Sequence, residues 1–177
     1  MVVFGFRLLV FSKQRKTNNR KPKTNNQSMF KLIATVLGIG YVKGGGTVAA
    51  VACCLLLYLV RPGGVLLHLG PAALLTGGLL ALGTLAAQRV EAQWGKDSYR
   101  VVIDEVAGMW VGMLLVPLTG PRLLVGLVLF RFFDIVKPLF IRRMEQLPGG
   151  VGVMMDDVLA GVYTNLLLHA GVHLGYL

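Results

Sequence analysis

Long apolar runs separated by breaks rich in Gly and Pro make up most of the chain after residue 29. Because glycine and proline mark where helices stop, this pattern predicts six helical segments. They cover residues 30–41, 47–60, 71–90, 102–117, 122–136 and 155–176. Several are shorter than about 20 residues, the length that crosses a bilayer, so we expect some to be re-entrant or buried. No β alternation is present, and the predicted fold is all-α: a polytopic, membrane-embedded helical bundle with several short or broken helices.

The composition supports a membrane protein. Hydrophobic residues make up 55% of the 177 residues, charged residues only 15%, and the mean hydropathy is +0.67. In soluble domains about a quarter of the residues are charged. The 23 glycines suit the close packing of membrane helices.

The N-terminal region carries most of the net charge of +10. From Met1 to Lys31 there are eight basic residues and no acidic one. We divide the chain into a basic, disordered extension (1–28) and a helical domain (29–177). Met29 opens a new apolar run, so the extension is either part of the protein or a start-site artefact. The basic excess is better explained by the positive-inside effect and anionic lipids than by nucleic acid. We therefore predict a membrane partner, no nucleic-acid partner and a cytoplasmic N-terminus.

Acidic residues are rare and unusually placed. Five of the eight carboxylates fall in three short clusters within apolar sequence. The clusters are Asp104-Glu105, Asp134 and Asp156-Asp157. A charge at mid-membrane costs about 2.5–3.5 kcal/mol even on lenient insertion scales. We therefore expect these side chains to face inward, against each other, against Arg131 and Lys137, or against a bound cation.

The first cluster lies in the run VVIDEVAGMW. On a helix, Asp104 and Glu105 point about 100° apart, so we do not expect both to face one direction. Gly108 lies one turn later and lets another backbone or a ligand approach that face. A helix-start acidic pair favoured by the helix dipole would also explain the two acids. The apolar surroundings favour a cation site instead.

The second cluster lies in FRFFDIVKPLFIRR, where Arg131, Asp134 and Lys137 are spaced i, i+3, i+6. Salt bridges alone would explain this stripe, and they are worth little if exposed. An Arg fork and a Lys point charge beside a carboxylate would also suit a site for phosphate and a metal ion. The spacing leaves both interpretations open. Pro138 ends the helix.

The third cluster lies in LPGGVGVMMDDVLAGV. Gly149, Gly150 and Gly152 predict a loop whose backbone N–H groups can turn toward an anion. The helix that follows carries Asp156 and Asp157. Aspartate pairs suit Mg²⁺, which takes oxygen ligands and keeps waters and substrate phosphate in its shell.

A weaker signal for phosphate binding is GIGYVKGGGTVAA. Thr47 is a good N-cap for the next helix, and helix starts of this kind bind anions. The run is not a P-loop, because Lys43 precedes the glycines. A turn between helices without a ligand explains the spacing equally well.

In content and order, the runs IDEVAGMW, FRFFDIVKP and GGVGVMMDDVLAGV resemble the phosphatidylglycerophosphatase A family. The resemblance covers roughly Ile39 to Leu168. It implies an all-α, mostly membrane-embedded, Mg²⁺-dependent phosphatase that converts phosphatidylglycerophosphate to phosphatidylglycerol in bacterial membranes. One motif departs from the family pattern P-G-T-x-G-S: residues 45–50 read GGTVAA, so only Gly46 and Thr47 match.

The resemblance also implies a role for each motif residue. The catalytic acids would be Asp104, Glu105, Asp134, Asp156 and Asp157. Mg²⁺ would be held by Asp104, Glu105, Asp156 and Asp157. The substrate phosphate would be bound by Arg131, Lys137, Thr47, Gly149, Gly150 and Gly152. Asp134 would orient Arg131 and Lys137 or act as a further metal ligand. Direct attack by water and an aspartyl-phosphate intermediate both stay open.

The implied location is the bacterial cytoplasmic (inner) membrane, with a multi-pass chain and an active site that faces the cytoplasm. The acyl chains of the lipid would stay in the bilayer while its head group enters the site. The alternative class is a polytopic transporter or ion-coupled carrier, which also places carboxylates among broken apolar helices. Many carriers are built from two related halves, and we find no such repeat in the sequence.

Overall fold

The computed structural model describes residues 25–60, 62, 68–96 and 98–177. These residues form seven α-helices and one short 3₁₀ turn, with no strand among them, so the all-α prediction is confirmed. The helices are α1 (Asn25–Ala34), α2 (Gly45–Val60), α3 (Leu69–Trp94), α4 (Ile103–Gly112), α5 (Gly120–Val136), α6 (Ile141–Met144) and α7 (Gly149–His173). Helix α1 begins ahead of Met29, and residues 1–24 of the predicted extension lie outside the described residues.

Helix α7 is the centre of the bundle. It packs against α3, α4, α5 and α6, while α2 packs on α4 and α5, and α1 lies on α3. Glycines allow α4 and α7 to meet closely. A Cβ on Gly108 would collide with the backbone of Asp157, and a Cβ on Gly161 would collide with the backbone of Gly108. Small residues of this kind let two helix backbones approach. The crossing brings the start of α4 beside the acidic residues of α7.

Two apolar clusters form the interior. The first lies between α2, α4, α5 and α7 and includes Leu57, Met109, Met113, Phe130 and Leu168. The second lies between α1, α3, α4 and α7 and includes Ala34, Ala86, Val90, Ile103 and Met154. Helix α4 contributes to both clusters, so packing fixes its position from two sides. That matters because α4 carries the first acidic motif.

Much of the outer surface is apolar. Leu74 of α3, Leu59 of α2 and Ile135 of α5 are 78%, 74% and 70% exposed. Large apolar patches are rare on soluble monomers and mark contact with a membrane or a partner. By length and composition, α3 and α7 could cross a membrane. Helix α3 faces mostly outward, whereas more than half of the apolar stretch of α7 is buried within the bundle. These features indicate membrane association.

Helix α4 ends earlier than the sequence predicts. The segment expected over 102–117 is helical only to Gly112, and Leu115 adopts a left-handed φ of 59°. The side-chain amide of Asn165 donates to the carbonyl oxygens of Gly112 and Leu114, at 3.1 and 2.7 Å. It thereby satisfies carbonyls that a helix end leaves unpaired. Because this partner comes from α7, the local sequence does not reveal the helix end.

The predicted glycine loop before the last helix is wrong. Its residues form the first turn of α7, and Pro148 is the N-cap. Gly149 has a left-handed φ of 62°. A Cβ on Gly150 would collide with the backbone of Thr84 and approach that of Gln88, both in α3. The absence of a side chain therefore lets α7 start directly against α3.

Candidate functional site

Three carboxylates from two helices converge. Asp104 and Glu105 lie in the first turn of α4, and Asp157 lies in α7. One carboxylate oxygen of each residue lies within 4.8 Å of the other two. We call these residues the carboxylate trio. The expectation that Asp104 and Glu105 face different directions is wrong, because the longer Glu105 side chain reaches back to the Asp104 carboxylate.

Asp104 and Asp157 are buried and Glu105 is half-buried, and the charges of the three carboxylates repel one another. Asp104 and Asp157 are 8% and 4% exposed. Burial raises the pKa of Asp104 well above its ordinary value, and the charge of Glu105 raises it further. Burial also raises the pKa of Glu105; its hydrogen bond with Asp104 lowers that pKa, and the charge of Asp134 raises it. Like charges held this closely call for a neutralising partner.

The trio fits a hard divalent cation. Among the described residues, they form a group of three carboxylates whose oxygens lie close enough together to share an ion. Glu105 Oε2 is buried and has no hydrogen-bond partner. An unsatisfied buried oxygen of this kind is costly unless something binds it. Carboxylate oxygens are the ligands that Mg²⁺ prefers, with waters completing its shell.

Arg131 and Asp134 form an ion pair beside the trio. Arg131 Nη1 lies 2.5 Å from Asp134 Oδ2, one turn apart on α5. The two side chains are 20% and 14% exposed, so the pair is partly shielded from water. Arg131 Nε is buried without a hydrogen-bond partner. Asp134 therefore holds the guanidinium group in place, while Nε is left able to donate a hydrogen bond to a ligand.

A polar cavity of about 500 Å³ lies between Arg131 and Glu105, the member of the trio that lines it. It is lined by Tyr41, Val42, Lys43, Gly44, Gly45, Gly46, Thr47, Tyr99, Glu105 and Arg131. The first turn of α2 forms one wall, so backbone N–H groups at a helix start lie beside a guanidinium group and a carboxylate. A Cβ on Gly46 would collide with the Glu105 carboxylate. The two residues of the first motif that match the family pattern, Gly46 and Thr47, thus lie in this cavity.

Lys137 takes a different position from Arg131. It ends α5 in a left-handed conformation, with φ of 47°. Its Nζ donates to Asp156 Oδ2 at 2.7 Å and to Glu145 Oε1 at 2.6 Å. Burial alone would lower the pKa of Lys137, but the hydrogen bonds to Asp156 and Glu145 outweigh it and raise that pKa. Lys137 therefore stays charged and neutralises Asp156.

Glu145 is the residue that sequence reasoning missed. It follows Arg142 and Arg143 in a stretch that resembles a solvated surface, and its side chain is 39% exposed. The one hint in the sequence is that Glu145 is among the few acidic residues outside the three clusters. Its role becomes visible once the α5–α6 turn places it against Lys137.

Asp156 lies apart from the trio. Its Oδ2 accepts from Lys137, and its Oδ1 is buried without a hydrogen-bond partner. A second cavity of about 360 Å³ opens beside it, lined by Lys96, Arg142, Glu145, Gln146, Gly152, Val153 and Asp156. Adjacent acids on α7 thus face different partners: Asp157 faces α4, whereas Asp156 faces Lys137.

The three glycines at the start of α7 do not line the cavity that holds Arg131. Gly150 packs on α3, and a Cβ on Gly152 would collide with the carbonyl of Leu147. In the structure Gly150 and Gly152 allow close backbone packing, and Gly149 adopts a left-handed φ. Their predicted contact with phosphate stays a prediction.

Comparison with known proteins gives a family. The family model of phosphatidylglycerophosphatase A matches residues 32–172, which contain every motif described above. No solved structure matches the chain.

Three relatives are similar to part of the chain. A protein of Bacteroides thetaiotaomicron, whose name provisionally describes it as a phosphatidylinositol-3-phosphatase, is 52% identical over 90 residues, covering 49% of this chain and 56% of that protein. The phosphatidylglycerophosphatase A of Haemophilus influenzae is 39% identical over 92 residues, covering 50% and 56%. That of Escherichia coli is 36% identical over 75 residues, covering 41% and 44%. The chain thus spans about half the length of these relatives.

Proposed function

Because the chain belongs to the phosphatidylglycerophosphatase A family, we propose that it is a membrane phosphatase acting on phosphatidylglycerophosphate. The products would be phosphatidylglycerol and inorganic phosphate. The main support for this proposal is that one cavity contains Glu105 of the trio, Arg131 and the first turn of α2. A phosphate monoester needs cationic donors on its oxygens next to a metal site.

In this proposal the trio holds Mg²⁺. The bound ion would neutralise the charge that develops on the phosphate and lower the pKa of an attacking water. Arg131 would bind two non-bridging oxygens through its guanidinium fork, and Asp134 would hold that fork in place. Backbone N–H groups around Thr47 would bind the remaining oxygen at the start of α2. These groups are positioned before the substrate arrives, as electrostatic catalysis requires.

Lys137 and Asp156 would support the site from the end of α5 and from α7. Lys137 is held by two carboxylates, which favours a role in positioning Asp156 over direct binding of phosphate. Asp156 adjoins Asp157 on α7, so a shift of one carries the other with it. The proposed contribution of this pair is to fix the position of α7 against the end of α5, and with it the position of Asp157.

We also propose that the site faces the cytoplasm from the inner membrane of a bacterium, in a multi-pass chain. Both polar cavities carry basic residues at their rims: Lys43 at the first, Lys96 and Arg142 at the second. Clusters of Lys and Arg favour the cytoplasmic side of a membrane. A cysteine introduced at Lys43 and mapped to the outer face by impermeant reagents would contradict this orientation.

The name of the Bacteroides thetaiotaomicron relative points to a second substrate, a phosphoinositide monoester. The proposed chemistry is the same for both lipids, since each presents a terminal phosphate on a membrane-bound head group. The two differ in the group that must fit beside the phosphate. Supplying both substrates to one preparation decides between them.

The test is phosphate release by the purified chain in detergent micelles. Phosphatidylglycerophosphate and phosphatidylinositol 3-phosphate are compared, each with Mg²⁺ and with EDTA. Asp157→Asn is the site variant, and Glu91→Gln, an acid-to-amide change outside both cavities, is the matched control. We expect release that requires Mg²⁺, persists in Glu91→Gln and collapses in Asp157→Asn. No release from folded protein, together with substrate flux in liposomes, would support the carrier instead.

A further inference from the structure

An apolar groove of about 220 Å³ lies between α2 and α5. Four residues of α2 line one wall, from Val51 to Tyr58, and four residues of α5 line the other, from Gly120 to Leu127. On each helix they fall at i, i+3, i+4 and i+7, so each wall is a single stripe of one helix face. The groove is open to the outside: Leu55 and Leu124 on its edges are 61% and 63% exposed, whereas Cys54 on its floor is 9% exposed.

One end of the groove lies near the polar cavity, and the groove extends away from the cavity along α2 and α5. The start of α2 and the end of α5 meet at the polar cavity, at Thr47 and Arg131, so the two helices are antiparallel neighbours. At 1.5 Å per residue, the groove begins about 6 Å from Thr47 and ends about 16 Å from it. The same count along α5 from Arg131 gives about 6 Å and about 16 Å. Both walls therefore cover the same range of depth.

We propose that this groove binds one acyl chain of the lipid whose phosphate enters the polar cavity. This inference rests on the proposed function. Half of a bilayer's hydrocarbon core is about 15 Å thick, which matches the far end of the groove when the phosphate lies at the membrane surface. Because the walls belong to the helices that carry Thr47 and Arg131, a chain in the groove is continuous with a phosphate in the cavity. The groove thus lies where a lipid's own tail would descend.

The proposed role of the groove is to align the lipid head group with the polar cavity. Lipid tails are as apolar as leucine, so a chain gains little hydrophobic energy on leaving the bilayer for the groove. A seated chain instead fixes the direction from which the head group meets Arg131 and the trio. Small errors in such placement are costly for rate, since a shift of about 1 Å can cost about a hundredfold.

Kinetics on two substrates test the proposal. Leu124→Trp fills the groove, and Leu166→Trp on α7 is the matched control, because Leu166 is 61% exposed and lies outside the groove lining and the polar cavity. Each protein is assayed with long-chain phosphatidylglycerophosphate and with an analogue whose acyl chains are cut to acetyl groups. We expect Leu124→Trp to lower kcat/KM roughly tenfold for the long-chain lipid alone. Val51→Trp, from the opposite wall, should behave in the same way. Equal kcat/KM values for Leu124→Trp and Leu166→Trp on the long-chain lipid would overturn the proposal.

A second measurement separates failure of the groove from failure of the proposed function. Phosphatidylglycerophosphate with a diazirine midway along one acyl chain is photolysed with the wild-type chain in EDTA, and the labelled residues are mapped. We expect labels within residues 51–58 and 120–127 that excess unlabelled lipid removes. Equal, uncompeted labelling of the exposed face of α3 would mean that the tail contacts the protein only as surrounding lipid. Absence of phosphate release from both substrates in the kinetic assay would refute the phosphatase, while the labelling still decides the groove.

Discussion

Replacing Lys137 with methionine should leave the buried carboxylate of Asp156 without its charged partner. Lys137 Nζ lies 2.7 Å from Asp156 and 2.6 Å from Glu145. The Asp156 side chain is only 9% exposed, whereas that of Glu145 is 39% exposed. Methionine keeps most of the apolar stem and removes the charge. Glu145 can then turn to water, whereas Asp156 stays mostly buried.

The structure sets the size of the effect. Removing one partner of a buried ion pair costs about 3–5 kcal/mol, because the other charge is left without compensation. Since Glu145 escapes to solvent, only one carboxylate is stranded, and we expect the lower end of this range for Lys137→Met, about 3 kcal/mol. An exposed salt bridge would instead be worth about 0–1 kcal/mol. A buried and an exposed Lys137–Asp156 pair therefore predict separate values.

The assay is reversible unfolding of the purified chain in mixed micelles of rising denaturing-detergent content. Lys96→Met is the matched control, since Lys96 is exposed and forms no ion pair within the described residues. The double variant Lys137→Met with Asp156→Asn should recover most of the lost stability, because the stranded charge is removed. A loss below about 1 kcal/mol for Lys137→Met, or no recovery in the double variant, would refute the reasoning.

Four further outcomes are expected. Gly46→Ala places a methyl group against the trio and should lower Mg²⁺-dependent phosphate release roughly tenfold, measured beside Gly77→Ala, whose Cβ meets open space. Gly108→Ala should cost about 1–3 kcal/mol in the free energy of unfolding, because its Cβ would press on α7; stability equal to that of Gly77→Ala would contradict this packing. The raised pKa of Lys137 means that its contribution is fully present below the ordinary value of 10.5 and is lost only as the pH rises through the raised pKa. The cost of Lys137→Met should therefore be the same at about pH 7 and about pH 9, and a cost that shrinks over this range would contradict it. Asp157→Asn should stabilise the metal-free chain by about 0.5–2 kcal/mol, because it removes one of the repelling charges. It should also remove the stabilisation by Mg²⁺, which thermal unfolding with and without EDTA would measure. A loss of stability in EDTA would count against repulsion in the trio.

The sequence was enough to predict the inward-facing acidic residues, but not all of the basic residues that pair with them. The cost of a charge in an apolar setting was enough to predict that Asp104, Glu105 and Asp157 face inward, and the structure brings them together. The Arg131–Asp134 pair follows from spacing of one turn. The Lys137–Asp156 pair does not, since it depends on how the chain turns after α5 and on the register of α7.

Helix existence was predictable, but helix ends that depend on distant residues were not. Apolar runs bounded by glycine and proline gave the positions of α2, α3 and α5 to within a few residues. The end of α4 depends on an amide group contributed by Asn165 of α7. The glycines before Asp156 resembled a loop because glycine usually marks one, yet Gly150 is where α3 and α7 touch. In both cases tertiary packing overrides the local signal.

The charges around the site argue for a bound cation more strongly than any single distance does. Within the described residues, Arg131 is paired with Asp134, and Lys137 is shared by Asp156 and Glu145. No ion pair in that part of the chain joins a basic side chain to the trio. Burying charged groups without a partner is among the most costly arrangements in a protein. In the proposed function, a divalent ion bound by the trio would turn the same repulsion into affinity. Asp134 and Asp156 already have a basic partner, so we expect a metal ion to bind at the trio.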